Sequence, residues 1–166
     1  MKLGLNMTAE LFPNLQVTVL DGSGTKRDLK DLCLGKVMVL DFWHTKCVKC
    51  PSALEKLNDA AREFGKEGQV IFVACALSLG EGNKELVLEM ISDSWDNLVH
   101  VFMDLDEKEI AKAEFGFTAV PFVVVVDQQG TILGMGDPKA IDYLDLINSV
   151  RAPIPGRTAL VLDEDF

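Results

Sequence analysis

The sequence predicts an α/β fold in which a mixed central sheet carries helices on both faces. Three apolar runs, residues 37–43, 69–77 and 121–126, have the length and composition of strands buried on both sides. Segments with apolar residues at helical spacing separate them. Strands that alternate with helices are typical of a sheet covered on both faces.

The composition indicates one soluble domain. The chain has 166 residues, of which 48% are hydrophobic, and this suffices for a core without disulfide bonds. Its apolar runs are too short to cross a bilayer, and the first residues lack the pattern of a secretory signal. We therefore expect a cytoplasmic protein with reactive or buried thiols among its four cysteines. A net charge of −10 disfavours nucleic acid and anionic membranes as partners.

The first half of the chain predicts a hairpin, a buried strand and a long helix. Residues 14–20 alternate with period two and run into the turn signal Asp21-Gly22-Ser23-Gly24, after which residues 25–29 return as a second strand. Residues 29–34 favour one helical turn, and residues 37–43 form the buried strand. A helix is expected from about Cys47 to Phe64, with one apolar face formed by Leu54, Leu57, Ala61 and Phe64.

The second half continues the alternation and ends in a hairpin and a helix. We expect strands at 69–77, 98–103, 121–126 and 131–135, and helices at 84–94, 107–115 and 138–150. The helix at 84–94 should turn four residues inward: Leu86, Val87, Met90 and Ile91. Residues 1–151 are thus one domain. Residues 152–166 form an acidic tail for which we expect disorder, the alternative being that Ala159-Leu160-Val161-Leu162 packs on the sheet or docks to a partner.

The pair Cys47-Val48-Lys49-Cys50 carries the chemistry. It lies where the buried strand ends and a helix begins, and a helix N-terminus stabilises a thiolate. Cys47, nearer the surface, is the candidate nucleophile, and Cys50, one turn further in, is the candidate resolving thiol. A thiolate attacks a substrate disulfide, a mixed disulfide forms, and the second thiol expels the product.

Asp41 is an acidic residue within the buried strand. It shares a strand face with Val37, Val39 and Trp43, so burial should raise its pKa. A buried acid near Cys50 can take and return that thiol's proton, and the alternative is an aspartate bonded to local backbone.

These motifs resemble the thioredoxin superfamily. The resemblance rests on Asp41-Phe42-Trp43, on the Cys47–Cys50 pair and on Val120-Pro121 after Phe115-Gly116-Phe117-Thr118-Ala119, and it covers residues 12–150. Within the superfamily the chain is most similar to the TlpA/ResA group. That resemblance implies a thioredoxin-like fold with an N-terminal hairpin, here 14–29, and an extra helix and strand, here 82–103.

The resemblance also implies roles for individual residues. Asp41 would be the proton acceptor, Pro121 would be cis beside Cys47, and the backbone of Val120 would pair with the substrate chain. Trp43 is assigned to the substrate surface, although packing is its main expected role. The implied activity is thiol-disulfide exchange with protein substrates, by a monomer that contributes to redox homeostasis. It needs a reductase or thiol pool as its redox partner and no cofactor.

The residues around the cysteines depart from the thioredoxin pattern. Lys46 stands where thioredoxins usually carry tryptophan, and Val48-Lys49 replaces Gly-Pro or Pro-Pro. Two lysines beside Cys47 should lower its pKa below the free value of about 8.5 and make the pair less reducing than thioredoxin. His44 is expected to tune the charge of the site.

Two other functions fit the same residues. One is a redox-silent binding or adaptor module. It is suggested by the acidic tail and by Lys46 and Lys49, which stand where thioredoxins carry other residues. The other is metal delivery through Cys47, Cys50 and His44. A structural zinc site requires a fourth ligand, which these motifs do not supply, so no metal is expected.

Overall fold

The computed structural model describes residues 10–33 and 35–150 as seven strands and five α-helices. The strands are β1 (Gln16–Val19), β2 (Lys26–Asp28), β3 (Val37–Trp43), β4 (Val70–Leu77), β5 (Val99–Met103), β6 (Phe122–Val126) and β7 (Ile132–Gly136). The helices are α1 (Leu29–Leu32), α2 (Cys50–Phe64), α3 (Asn83–Ile91), α4 (Leu105–Phe115) and α5 (Tyr143–Val150). Leu34 and the predicted tail 152–166 lie outside the described residues.

The strands form one mixed sheet in the order β2-β1-β5-β4-β3-β6-β7. The pairs β3–β4 and β4–β5 are parallel, whereas β6 and β7 are added antiparallel beside β3. The N-terminal hairpin β1–β2 joins the other edge through β5, the strand of the predicted insertion. The expected mixed sheet, hairpin and extra helix-strand unit are therefore confirmed.

A hydrophobic cluster packs on each face of the sheet, because the side chains of a strand alternate between its faces. One cluster includes Met38, Leu40 and Phe42 of β3 together with Phe115 at the end of α4. The other joins Val39 and Trp43 of the same strand to α2 and α5. All seven residues of β3 are buried, as expected for the central strand of a covered sheet.

The structure corrects the first residue of three predicted helices, and it ends α3 at Ile91 rather than at residue 94. The helix α2 begins at Cys50 rather than Cys47, since residues before it form a turn in which the Cys50 N–H donates to the Cys47 carbonyl at 3.4 Å. The helix α5 begins at Tyr143 rather than Pro138, because Asp137 accepts backbone bonds of a turn and Asp142 accepts from the Asp145 N–H. The helix α4 begins two residues earlier than expected, after its cap Asp104.

One predicted inward residue is exposed. In α3 Val87 is fully buried and Met90 and Ile91 pack against the core, but Leu86 is 44% exposed. A helix of nine residues presents only a narrow stripe of side chains to the core, so a residue adjacent to that stripe is exposed to solvent.

No helix within the described part of the chain is both long and apolar enough to span a membrane.

Candidate active site

The two cysteines of the predicted pair are bonded in a disulfide at the start of α2, with their Cα atoms 5.4 Å apart. Cys50 is the first residue of the helix and is fully buried against the cluster around Trp43 and Leu54. Cys47 lies in the preceding turn and is half-buried. The sulfur of Cys47 is thus the one that an incoming disulfide can reach.

Pro121 lies beside this pair. The Val120–Pro121 peptide bond is cis, as the family resemblance implies. The carbonyl oxygen of Val120 is 3.5 Å from the Cys47 sulfur, so the loop before β6 contacts the turn before α2. Both residues are half-buried and border the surface at the exposed sulfur.

Asp41 lies inside the sheet, on the face that α2 covers. It is 1% exposed, and its neighbours across the sheet are Ala74 of β4 and Val123 of β6. Its Oδ1 has no hydrogen-bond partner among the described residues. Burial therefore raises the pKa of Asp41 well above the usual value near 3.8. The alternative from the sequence was an aspartate hydrogen-bonded to local backbone, and Oδ1 makes no such bond with the described residues.

Tyr143, the first residue of α5, lies near this carboxyl group. Burial raises the pKa of Tyr143 to about 12, and the negative charges of Asp41 and Asp59 add to the shift. Asp41 likewise adds to the effect of burial in raising the pKa of the Cys75 thiol. Cys75 is fully buried in the sheet.

Trp43 does not reach the surface. Its side chain is fully buried, and its ring packs edge-on against Trp95 with the ring centroids 5.9 Å apart. In this structure the side chain of Trp43 is covered and does not border the surface at Cys47, so its place in the substrate surface stays a prediction. The contacts of its ring are packing contacts.

His44 shapes the turn before Cys47. Its Nδ1 accepts the Lys46 N–H at 3.2 Å, and its carbonyl accepts the Cys47 N–H at 3.2 Å. Partial burial and the positive charge of Lys108 lower the pKa of His44. The ring of His44 thus supplies a hydrogen-bond acceptor to this turn, and its predicted part in tuning the charge of the site stays a prediction.

The lysines flanking Cys47 are exposed. Lys46 and Lys49 point to solvent on either side of it, and Val48 between them is 92% exposed. Among the described residues no three His, Cys, Asp or Glu side chains come together as metal ligands.

Sequence reasoning missed the residues that support the active-site turn. The Asn83 amide nitrogen donates to the Thr45 hydroxyl at 2.9 Å, and its Oδ1 accepts the Leu79 N–H at 3.1 Å. Lys108 donates to the Ser78 carbonyl at 2.9 Å. Asn83 and Thr45 are 38 residues apart in the sequence, and Lys108 and Ser78 are 30 residues apart. No local sequence signal therefore identifies these contacts.

It also missed most of the lining of a groove beside the disulfide, although it had placed Lys49 at the site. Lys49, Ser52, Ala53 and Lys56 line this groove from α2 and the residue before it, and Lys139 and Tyr143 line it from the other side. The three positions on α2, together with Lys49 just before it, follow the spacing of one helix face, which is a signal that the sequence did contain.

Comparisons with known proteins agree with this geometry. A family model described as thioredoxin-like matches residues 35–132. The thiol-disulfide oxidoreductase ResA of Bacillus cereus is 27% identical over 121 residues, and that of Bacillus anthracis is 26% identical over 121 residues. Each alignment covers 73% of this chain and 64% of the relative, so the chain spans less than two thirds of these relatives' length.

Solved structures share the fold. The thioredoxin domain of a thiol-disulfide oxidoreductase from Bacteroides vulgatus is 20% identical with a TM-score of 0.67, covering 86% of this chain and 94% of that one. The exposed lipoprotein thioredoxin Etrx1 of Streptococcus pneumoniae is 16% identical with a TM-score of 0.66, covering 83% and 100%. With the match of the family model over more than half of its length, this chain belongs to the thioredoxin-like family.

Proposed function

We propose that this protein is a thiol-disulfide oxidoreductase that exchanges disulfides with protein substrates through Cys47 and Cys50. The observation that carries the proposal is the asymmetry of the pair: one sulfur is half-exposed beside cis-Pro121 and the other is fully buried. The ResA relatives are named as oxidoreductases of this type, which supports the assignment.

The proposed reaction uses the two sulfurs in sequence. In the reduced protein the Cys47 thiolate attacks a substrate disulfide, forms a mixed disulfide and releases one substrate thiol. Cys50 then attacks the Cys47 sulfur and releases the second thiol, leaving the Cys47–Cys50 disulfide. The protein loses two electrons and the substrate gains them. The burial of Cys50 prevents the substrate from reaching it first.

Asp41 is proposed to handle the proton of Cys50. The resolving thiol is reactive only as a thiolate, so its proton must leave as it attacks. A carboxyl whose pKa is raised by burial exchanges protons closer to neutral pH than an ordinary aspartate. Asp41 lies on the sheet face against which Cys50 packs, which supports this role.

The first test is a redox titration in glutathione or dithiothreitol buffers, with alkylatable thiols counted at each ratio. We expect one two-electron transition that Cys47→Ser abolishes. With lysines on both sides of Cys47, the midpoint should be less reducing than the value of about −270 mV for thioredoxin. The absence of a transition at any ratio would leave a redox-silent binding module.

A second test assigns the roles of the two cysteines. We expect the reduced Cys50→Ser variant to accumulate a mixed disulfide with a disulfide-bonded protein such as insulin, because the bond between Cys47 and the substrate can no longer be resolved. Cys47→Ser should form none. Accumulation through Cys50 instead would reverse the assignment.

We also propose that the protein is cytoplasmic and monomeric. Cell fractionation tests its location, and light scattering tests its oligomeric state.

A further inference from the structure

A groove of about 330 Å³ opens beside the disulfide. The half-buried Pro121 forms part of its lining, which makes it continuous with the surface where the Cys47 sulfur is reached. Much of the lining is apolar: Val48, Ala53, Pro121, Pro138 and the ring of Tyr143. Apolar lining of this kind binds a side chain of a docked polypeptide through the hydrophobic effect.

The charged residues of the groove are mostly positive. Lys49 and Lys56 line one side and Lys139 the other, whereas Asp137 is the acidic lining residue. The Asp137 carboxylate accepts the backbone N–H of Lys139 at 2.8 Å, so part of its hydrogen-bonding capacity is taken up within the chain. The groove therefore has a positive balance in a chain whose net charge is −10.

We propose that this groove binds an acidic segment of the substrate protein, in which aspartate or glutamate accompanies an apolar side chain near the reacting cysteine. The inference rests on the proposed function and names its substrate class. Lysine stems can cover apolar surface while their ammonium groups pair with carboxylates, which suits a segment of mixed acidic and apolar character. A basic segment would meet three like charges.

The position of the lysines also favours fast association with such a segment. Lys56 is one further turn along α2 from Ser52, and Lys139 lies across the groove, so positive charge borders the path to Cys47 from two sides. A patch of one sign raises the association rate of an oppositely charged partner, and salt screens this effect. An acidic preference that is lost at high salt is therefore the signature of the groove.

The test uses three synthetic peptides of equal length. Each carries an apolar residue and one cysteine joined to 2-thiopyridine, a neutral leaving group, and the flanking positions are glutamate, glutamine or lysine. The reduced full-length protein attacks the peptide sulfur and displaces pyridine-2-thione, and Cys50 then releases the peptide thiol. The protein dithiol becomes a disulfide while the peptide disulfide is reduced to two thiols.

We expect the second-order rate constant at low ionic strength to be about tenfold higher for the glutamate peptide than for the lysine peptide. The ratio should fall towards unity near 1 M salt, where the screening length is about 3 Å. In Lys56→Gln/Lys139→Gln the low-salt ratio should fall to about threefold, since two of the three cations are lost. Lys49 is left unchanged because its charge also acts on Cys47.

The matched control is Lys36→Gln/Lys66→Gln. It removes the same charge from exposed lysines before β3 and after α2, at the ends of these elements away from the disulfide. Its ratio should stay near tenfold. Every rate is divided by the rate of the same variant with 2-hydroxyethyl disulfide, a small neutral substrate that reports the reactivity of the thiol.

Equal rates for the three peptides, or an equal effect of the two lysine pairs, would overturn the inference. A higher rate for all three peptides after neutralisation of Asp163, Glu164 and Asp165 would also overturn it, because the acidic end of this chain would then be the occupant. If even 2-hydroxyethyl disulfide were not reduced, the proposed function itself would fail, and the two failures are thus distinguished.

Discussion

Asp41 is a buried carboxyl group whose Oδ1 has no hydrogen-bond partner in the described structure, and this sets its energetics. Its pKa is raised in the folded protein, so folding takes up a proton between the usual and the raised pKa. The neutral form fits the apolar site. As pH rises through the folded pKa, the carboxyl ionises in a place without solvent, and the free energy of unfolding decreases.

Asp41→Asn should therefore stabilise the protein at high pH relative to low pH. The amide cannot ionise, so the variant escapes the loss that the wild type suffers. We expect the difference in unfolding free energy, variant minus wild type, to be larger at pH 8 than at pH 3, because only the wild type loses stability as its buried carboxyl group ionises. Urea denaturation of both oxidised proteins measures it. An equal difference at the two pH values would contradict the raised pKa.

Tyr143 gives a spectroscopic view of the same carboxyl group. It is the single tyrosine of the chain, so the ultraviolet absorbance of tyrosinate reports it alone. The titration should have its midpoint near pH 12. Asp41→Asn should lower that midpoint, because the negative charge that opposes ionisation is removed.

Asp59→Asn is the matched control for this titration. The charge of Asp59 also raises the pKa of Tyr143, but less than that of Asp41 does. Its variant should therefore lower the midpoint by a smaller amount. A midpoint that Asp41→Asn leaves in place would show that the two groups do not interact.

At the scale of elements, the turn between β3 and α2 depends on a helix from another part of the chain. Asn83 begins α3 and is 8% exposed, and its amide bonds both Thr45 and the Leu79 backbone. The sequence places β3, α2 and α3 correctly within a few residues, because their apolar spacing is local. It does not reveal that α3 holds the active-site turn, because that contact spans 38 residues.

Asn83→Ala should destabilise the fold by about 1–3 kcal/mol, since the Leu79 N–H and the Thr45 hydroxyl lose their partner in a partly buried place. Urea denaturation measures this cost. Thr45→Val removes only one of the two bonds and should cost less. In the double variant the two costs should not add, because both substitutions delete the Asn83–Thr45 bond. Strict additivity would show that this bond contributes nothing.

At the scale of the whole molecule, the two faces of the sheet are closed by different helices. The helix α5 is the last element of the described chain. Its Ile147 side chain is fully buried in the cluster that also contains Cys50 and Trp43. The same helix begins with Tyr143 at the groove. Docking of α5 therefore couples the stability of this face to the shape of the proposed substrate site.

Ile147→Ala should cost about 2–5 kcal/mol of unfolding free energy, the range for removing a large aliphatic side chain from a packed core. Leu144→Ala, on the same helix at a residue that is 37% exposed, should cost far less. Thermal or urea unfolding compares the two. Similar costs would mean that α5 is not docked as the structure shows.

The amino-acid sequence alone determined the sheet, the order of its elements and the reactive pair, because each has a local signature. The strand β3 is a continuous apolar run, the cysteines follow it at a fixed spacing, and the single aspartate in that run stands out by its charge. The cis bond before Pro121 was implied by the resemblance to the thioredoxin superfamily, and the structure has it.

Only the tertiary structure decided how these parts meet. In the folded protein Trp43 is buried, α5 begins at Tyr143 and Leu86 is exposed, because the burial of a side chain depends on which element covers its face. The tertiary structure also brought Lys56 of α2, and Lys49 just before that helix, opposite Lys139 of a distant turn. Contacts between residues far apart in the chain leave no periodicity behind them, so the groove and the support of the active-site turn became visible only in three dimensions.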